Sequence, residues 1–271
     1  MKLPFTKMNG AGNDFVMIDN RLGNRCLDKA TIARICDRHR GVGADGLIAV
    51  EPAEQGADFR MRYYNADGGE AEMCGNGARC FARYAARLSG KTDRISFETL
   101  AGIITAEFDG ELVRLAMSTP HDYRPATPLN LGERTLDVQF LNTGVPHAVA
   151  FVDDLENLPV KTLGAAIRYH DHFAPKGTNA NFARALDSQS IAIRTYERGV
   201  EDETLACGTG VVASALIFHQ NTGAASPVKV RVRGGDTLIV HFEKNGEGFG
   251  RVTLTGPADF VFEGEIDLPQ Q

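Results

Sequence analysis

Short β-type runs, some alternating apolar and polar residues and some wholly apolar, recur along this chain. Residues 3–8, 15–19, 47–50 and 59–64 carry the pattern ahead of position 74, and 95–99, 103–108 and 112–117 carry it afterwards. Runs of that length and period predict half-buried strands. Asn-Gly at 9–10, Ala-Gly at 101–102 and Asp-Gly at 109–110 punctuate them, and the last predicts a hairpin over 108–112. Helical spacing is scarcer. It appears over 29–38, at Ala78, Phe81, Ala82, Ala85 and Leu88, over 163–170, and over 211–218. The last run is apolar on every side, the pattern of a helix buried all round; Asn221-Thr222-Gly223 closes it. Strands at 136–141, 148–152, 191–196, 228–232, 238–242 and 252–254 surround that helix as the first set surrounds the other. Pro120, Pro125 and Pro128 interrupt the pattern between the two sets and predict a domain boundary. The expected fold is therefore α/β in the α+β sense, with two pseudo-symmetric domains over 1–118 and 119–259. Each is a barrel-like, mostly antiparallel sheet wrapped around a central helix. A last strand at 260–263 lies past the second set, and 260–271 can return to either domain.

The two central helices open alike. Cys74 precedes Gly75-Asn76-Gly77, and Cys207 precedes Gly208-Thr209-Gly210, 133 positions later in a chain of 271. A sulfur at a helix N-terminus meets unpaired N–H groups and the positive end of the macrodipole, which favour the thiolate. Glycine beside it lets a ligand approach the backbone closely. One such cysteine can equally be inert core. Two of them, in similar halves, suit the inversion of a tetrahedral carbon: one thiolate takes a proton from one face and one thiol returns a proton to the other. The two helix ends would offer N–H groups to a carboxylate that gains charge as the α-proton leaves. A redox-responsive dithiol or small-ligand binding module remains the alternative from a different class.

Composition narrows the partners. A net charge of −6 without a Lys/Arg run argues against a nucleic-acid surface. No apolar stretch approaches the ~20 residues of a spanning helix, and the first residues lack a signal-peptide core, so a cytoplasmic protein with no membrane partner is expected. The odd count of five cysteines, with no C-x-x-C, argues against a disulfide framework; without H-x-x-x-H or H-E-x-x-H, no metal is expected either. Gly41-Val42-Gly43-Ala44-Asp45-Gly46 matches G-x-G-x-x-G but follows a helix and precedes a strand, the reverse of the dinucleotide-binding order. No lysine signature for pyridoxal phosphate stands out, and no cofactor is expected. Cys80 falls on the buried face of its helix, Cys26 and Cys36 flank or lie on the 29–38 helix, and Arg79, Arg83 and Arg87 read most simply as a solvated face, with an ordering role for the loop as the alternative for Arg79.

Several motifs coincide. Gly10-Ala11-Gly12-Asn13-Asp14-Phe15, Tyr64-Asn65-Ala66-Asp67-Gly68, Cys74-Gly75-Asn76-Gly77-Ala78-Arg79, Glu197-Arg198-Gly199 and Thr204-Leu205-Ala206-Cys207-Gly208-Thr209-Gly210 together resemble the diaminopimelate epimerase family. The resemblance implies cofactor-independent interconversion of LL- and meso-diaminopimelate, in lysine and peptidoglycan precursor biosynthesis. It also implies a homodimer and an active site in the cleft between two similar domains. It assigns Cys74 and Cys207 as the acid/base pair, with His147 and Glu197 holding or polarising them. Asn13, Asn65 and Asn179 would hold the distal end of the substrate, Arg198 would face its carboxylate, and Gly75, Asn76, Gly208 and Thr209 would cradle the reacting carboxylate. The chain departs from the family pattern at Gly46, where many members carry Gln, and at Val145, where many carry Asn. A same-fold amino-acid racemase of the proline racemase type is the nearest enzyme alternative. A histidine is expected there after the first Cys-Gly, and Asn76 occupies that position.

Overall fold

The short β-type runs become sheet in the expected way. In the strand Asn13–Asp19 the side chains of Phe15, Val16, Met17 and Ile18 are all buried, which places it centrally; in Val228–Arg231 buried Val228 and Val230 alternate with exposed Lys229 and Arg231. The computed structural model describes residues 2–268 apart from positions 72, 133 and 247. The chain folds into two compact units, one comprising Met1–Leu115 and Gly256–Gln271 and the other Ala116–Thr255. Residues 269–271, the end of the segment expected to return to one domain, lie outside the described residues.

In the first unit the strand Asp259–Asp267 pairs antiparallel with Lys2–Gly10, which pairs antiparallel with Asn13–Asp19. Asn13–Asp19 runs parallel to Gly46–Glu51, and that strand is antiparallel to Phe59–Asn65. Phe59–Asn65 is parallel to Arg94–Thr99, followed by the antiparallel ladders of Gly102–Asp109 and Leu112–Ala116. In the second unit His121–Asn130, Thr135–Asn142 and Pro146–Phe151 are successively antiparallel. Pro146–Phe151 runs parallel to Asn179–Ala185, then come antiparallel Ser190–Glu197 and parallel Val228–Arg231. Antiparallel Thr237–Asn245 and Gly248–Gly256 complete it. The order of antiparallel and parallel ladders is the same in both units. The duplication first suggested by two cysteines is a duplication of topology.

Among the described residues four α-helices accompany these sheets: α1 (Lys29–Cys36), α2 (Gly75–Ser89), α3 (Val160–Arg168) and α4 (Gly208–Thr222). The helices α2 and α4 are the central pair, each 15 residues long and each beginning and ending 133 positions from its counterpart. Both end on a left-handed glycine, Gly90 and Gly223, whose N–H bonds back to Ala86 O and His219 O, the conformation glycine adopts without a Cβ penalty. A short strand precedes each: Glu70–Ala71 adds to Phe59–Asn65, and Asp202–Thr204 adds to Ser190–Glu197. Every side chain from Val211 through Phe218 is buried. The helix α1 joins Leu3, Val16, Ile18 and Leu47 in one core, and α3 covers Phe140, Ala150, Phe182 and Tyr196 in another.

The structure corrects the sequence reading in three places. The proline-bearing stretch after residue 118 is a ten-residue strand, His121–Asn130, and not a break. The strand is almost wholly exposed, and Pro125 falls in the ladder irregularity between Arg124 and Thr127, where a missing N–H costs little. Asn179–Ala185 is a strand that alternation did not reveal, because its buried positions include Asn179 and Asn181 as well as Phe182. Arg79 is fully buried and not solvated. Its guanidinium donates to Pro257 O at 3.1 Å, Gly10 O at 3.4 Å and Asn76 Oδ1 at 2.8 Å. Spacing along a helix cannot distinguish a solvated face from one whose charge is met by carbonyls.

Because α4 is packed on all sides, truncation inside it should leave a cavity. Leu216→Ala is expected to cost about 2–5 kcal/mol of unfolding free energy. Leu22→Ala, at a side chain 86% exposed, is expected to change it by less than ~0.5 kcal/mol. Urea unfolding followed by far-UV circular dichroism measures both.

Candidate functional site

In the first unit, Cys74 is the N-cap of α2, with extended backbone at φ −132° and ψ 122°. The cap position puts the residue at the helix end whose first-turn N–H groups have no intrahelical partner. Asn76 in that turn is buried, and its Nδ2 donates to Asn13 Oδ1 at 2.5 Å while its Oδ1 accepts from Arg79. Asn13 Nδ2 donates in turn to Asp45 Oδ2 at 2.9 Å. Asp45 belongs to an ion cluster: Arg38 bonds both Asp14 and Asp45, and Lys7 approaches Asp14 at 2.8 Å. Burial works to raise the Asp14 carboxyl, but hydrogen bonds from Arg38 and Lys7 outweigh it and hold the group well below the carboxylate range. Asn13 thus has both ends of its amide engaged, one by α2 and one by a charged cluster that anchors the strand below it.

Asn65 ends the strand Phe59–Asn65, is exposed, and accepts from the Tyr63 hydroxyl at 3.0 Å. Position 46 pairs with Asn65 in the neighbouring strand. A Cβ there would lie 2.5 Å from Tyr64 O and 2.7 Å from Tyr63 Cε2. The absence of a side chain at 46 and the ring at 63 are therefore one adjustment: the tyrosine takes the space and bonds Asn65 itself.

In the second unit, Cys207 caps α4 with the same extended backbone, φ −122° and ψ 106°. The Thr209 hydroxyl lies 3.6 Å from Cys207 Sγ and 2.9 Å from His147 Nε2. His147 is fully buried on the strand Pro146–Phe151, and its Nδ1 faces Asn181 Nδ2 at 3.1 Å. Burial first, and the charge of Arg198 second, push the imidazole down to about 3, so the ring is neutral at neutral pH. His147 reaches the sulfur through Thr209. Asn179 lies directly opposite His147 in the parallel ladder. Its Nδ2 donates to Pro146 O at 2.9 Å and its Oδ1 accepts from the Arg198 backbone N–H at 2.8 Å. The Arg198 side chain donates to Lys176 O at 3.3 Å. Burial pushes the Glu197 carboxyl above its ordinary range, offset in part by the nearby Thr204 hydroxyl.

Of the sequence-predicted residues, Cys74, Gly75, Asn76 and Asn13 come together around the α2 end, and Cys207, Gly208, Thr209, His147, Asn179 and Arg198 around the α4 end. Glu197 and Asn65 end the corresponding strands of their units. Asn181 is the residue that sequence reasoning missed as an actor. Its signal was present as two asparagines, 179 and 181, at strand spacing in an otherwise apolar run, a pattern that places both on one face. The other thiols differ: burial pushes Cys80 up to about 12 and Cys36 up to about 11, while Cys26 is exposed. Among the described residues, no group of three or more His, Cys, Asp or Glu side chains is arranged to hold a metal ion, and no helix is long and apolar enough to cross a membrane.

Comparison with known proteins finds relatives over nearly the whole chain. The family model for diaminopimelate epimerase matches residues 5–121 and 139–261. The chain is 43% identical to the diaminopimelate epimerase of Aquifex aeolicus across 97% of its length and 98% of that protein. It is 45% identical to the one from Chlorobaculum tepidum across 96% of its length and all of that protein. A phenazine biosynthesis protein of the PhzF family from Bacillus anthracis superposes with a TM-score of 0.72 at 16% identity, over 99% of this chain and 100% of that one. That likeness is one of fold.

The depressed imidazole has a consequence for stability. Above pH 6.5, the ordinary value, His147 is neutral whether folded or unfolded. Below it the unfolded chain gains a proton that the folded protein refuses down to about 3, so stability is lost as pH falls through that window. His147→Gln removes the effect. The gap in urea midpoint between wild type and variant is expected to narrow from about pH 7.5 to about pH 5.5; a gap that holds or widens contradicts the assignment.

Proposed function

The chain belongs to the diaminopimelate epimerase family, and from that premise we propose that it interconverts LL- and meso-diaminopimelate with two thiols of its own. The enzyme is an isomerase acting on a small molecule. One thiolate removes the α-proton, and the other thiol delivers a proton to the opposite face of the same carbon. The observation that carries this reading is the repeated one: in two units of the same ladder order, the central helix opens on Cys-Gly at the same point. The first-turn N–H groups of Gly75-Asn76 and Gly208-Thr209 receive the reacting carboxylate, where a helix end favours the charge that grows as the proton leaves. These groups do the work without a cofactor.

His147 and Glu197 assist the thiols. A neutral imidazole can donate a hydrogen bond without adding a full charge beside a sulfur that changes protonation every turnover, and burial makes the Glu197 carboxyl easier to protonate than an exposed one. Asn13, Asn65 and Asn179 hold the distal amino-acid end, and Arg198 faces its carboxylate with a bidentate geometry that lysine cannot copy. The buried contacts on the amides of Asn13 and Asn179 support this role by fixing their orientation. The reading also takes the protein to be cytoplasmic, serving lysine and peptidoglycan precursor synthesis, and to act as a homodimer. The strand Asp259–Asp267 leaves Val261 and Phe262 exposed, which suits a face covered by a second copy.

Purified protein given LL-diaminopimelate, with no added cofactor, is expected to yield the meso isomer by chiral chromatography. Cys74→Ala and Cys207→Ala should each lower kcat by roughly 10²–10⁴. Near-wild-type turnover in either variant would sink the two-thiol reading. Light scattering should give twice the chain mass; a monomer at assay concentration contradicts the dimer.

A further inference from the structure

Resting on the two-thiol reading, we propose that Asn181 is a positioning residue: it fixes His147 as the tautomer protonated on Nε2, so that the Thr209 hydroxyl is turned to donate to Cys207 Sγ. The assignment follows from donors and acceptors. Asn181 is fully buried, and one end of its amide faces Ala148 O at 3.0 Å. A backbone carbonyl only accepts, so that end is the amide nitrogen. The other end then accepts from Thr195 Oγ1 at 2.9 Å, as an oxygen must. Of the two hydrogens on Asn181 Nδ2, one goes to Ala148 O and the other to His147 Nδ1 at 3.1 Å. A ring nitrogen that accepts carries no proton in the neutral imidazole, so the proton sits on Nε2.

The consequence runs outward along the chain of contacts. Nε2–H donates to Thr209 Oγ1 at 2.9 Å. The hydroxyl has one hydrogen of its own, and with an oxygen lone pair occupied by the ring, that hydrogen is left for the sulfur 3.6 Å away. The Thr209 carbonyl is meanwhile held by Thr143 Oγ1 at 2.9 Å, which steadies the first turn of α4. Arg198 is the charged group bearing on the ring, and it opposes a second proton there. Position 210 must be glycine for this arrangement to close: a Cβ would lie 2.3 Å from Asn181 Oδ1 and 3.3 Å from His147 Cε1. The α2 end is built from different residues. Phe15 takes the place of His147 in the corresponding ladder, opposite Gly46 as His147 is opposite Asn179, and Asn76 stands where Thr209 stands. The relay therefore belongs to one thiol of the two.

Three variants test it. Thr209→Val removes the hydroxyl and keeps the backbone N–H, Thr209→Ser restores the hydroxyl, and Asn181→Asp presents an acceptor to Nδ1 and so moves the proton off Nε2. The readout is the rate of Cys207 carbamidomethylation by iodoacetamide as a function of pH, with the modified peptide quantified by mass spectrometry, in substrate-free protein verified as folded by circular dichroism. This reports the thiolate directly and does not depend on epimerase turnover, so a failed activity assay and a failed relay are separate results. The pH midpoint of alkylation should rise by about one unit in Thr209→Val and in Asn181→Asp, the tenfold change expected on losing one hydrogen bond to a charged group. Thr209→Ser should return it to the wild-type position. Equal midpoints in wild type and Thr209→Val would overturn the proposal, and if Asn181→Asp does not fold, the valine and serine pair decides the question.

Discussion

A helix enclosed by sheet can offer a ligand only its ends. The helix α4 is buried along its length from Gly210 to Phe218, and α2 is buried over most of its own. Within each unit that enclosure leaves the N-terminal turn, with its unpaired N–H groups, as the place where backbone donors and a side chain can act together. A cysteine at the cap position adds a group that can move a proton. Everything else described around these turns serves to hold their neighbours still. The Asp14, Arg38, Lys7 and Asp45 cluster fixes Asn13 from below, and the buried Arg79 fixes Asn76 from behind. His147, Asn179 and Asn181 do the corresponding work in the other unit through neutral hydrogen bonds.

The contrast between the units is as informative as their likeness. Their ladders follow one order, and their central helices share length, cap and exit, yet the polar groups around the two thiols differ. Ions lie beneath the α2 end, whereas amides, hydroxyls and a neutral imidazole, with Arg198 nearby, line the α4 end. A duplicated scaffold constrains where the sulfur sits and leaves its surroundings free to diverge. Under the proposed mechanism, two thiols that alternate between acid and base would be served by surroundings that are not copies of one another.

Much of this was legible in the sequence because the features concerned are local. Cys-Gly-Asn-Gly and Cys-Gly-Thr-Gly announce a helix start, and the all-apolar run 211–218 announces burial on every side. The Asp-Gly turn at 109–110 produced its hairpin, with Asp109 opposite Leu112. What was not legible depends on partners distant along the chain. Asn179–Ala185 escaped because a buried asparagine reads like a turn residue until its hydrogen-bond partners, supplied by strands far along the chain, are known. The strand His121–Asn130 escaped because its prolines signal a break unless the strand is exposed and irregular where they fall. Arg79 looked solvated because the carbonyl of Pro257 that receives it lies 178 positions away in the chain.

The central claim is that inversion uses two different proton carriers on one carbon. The measurement that tests it most directly is the isotope content of substrate and product during the first turnovers in D₂O, read by proton NMR and mass spectrometry. With separate donor and acceptor thiols, meso-diaminopimelate should carry solvent deuterium at the inverted carbon from the outset, while unreacted LL-diaminopimelate stays protiated early in the reaction. Product that retains the original α-proton would mean that one group removes and returns it, and would contradict the account.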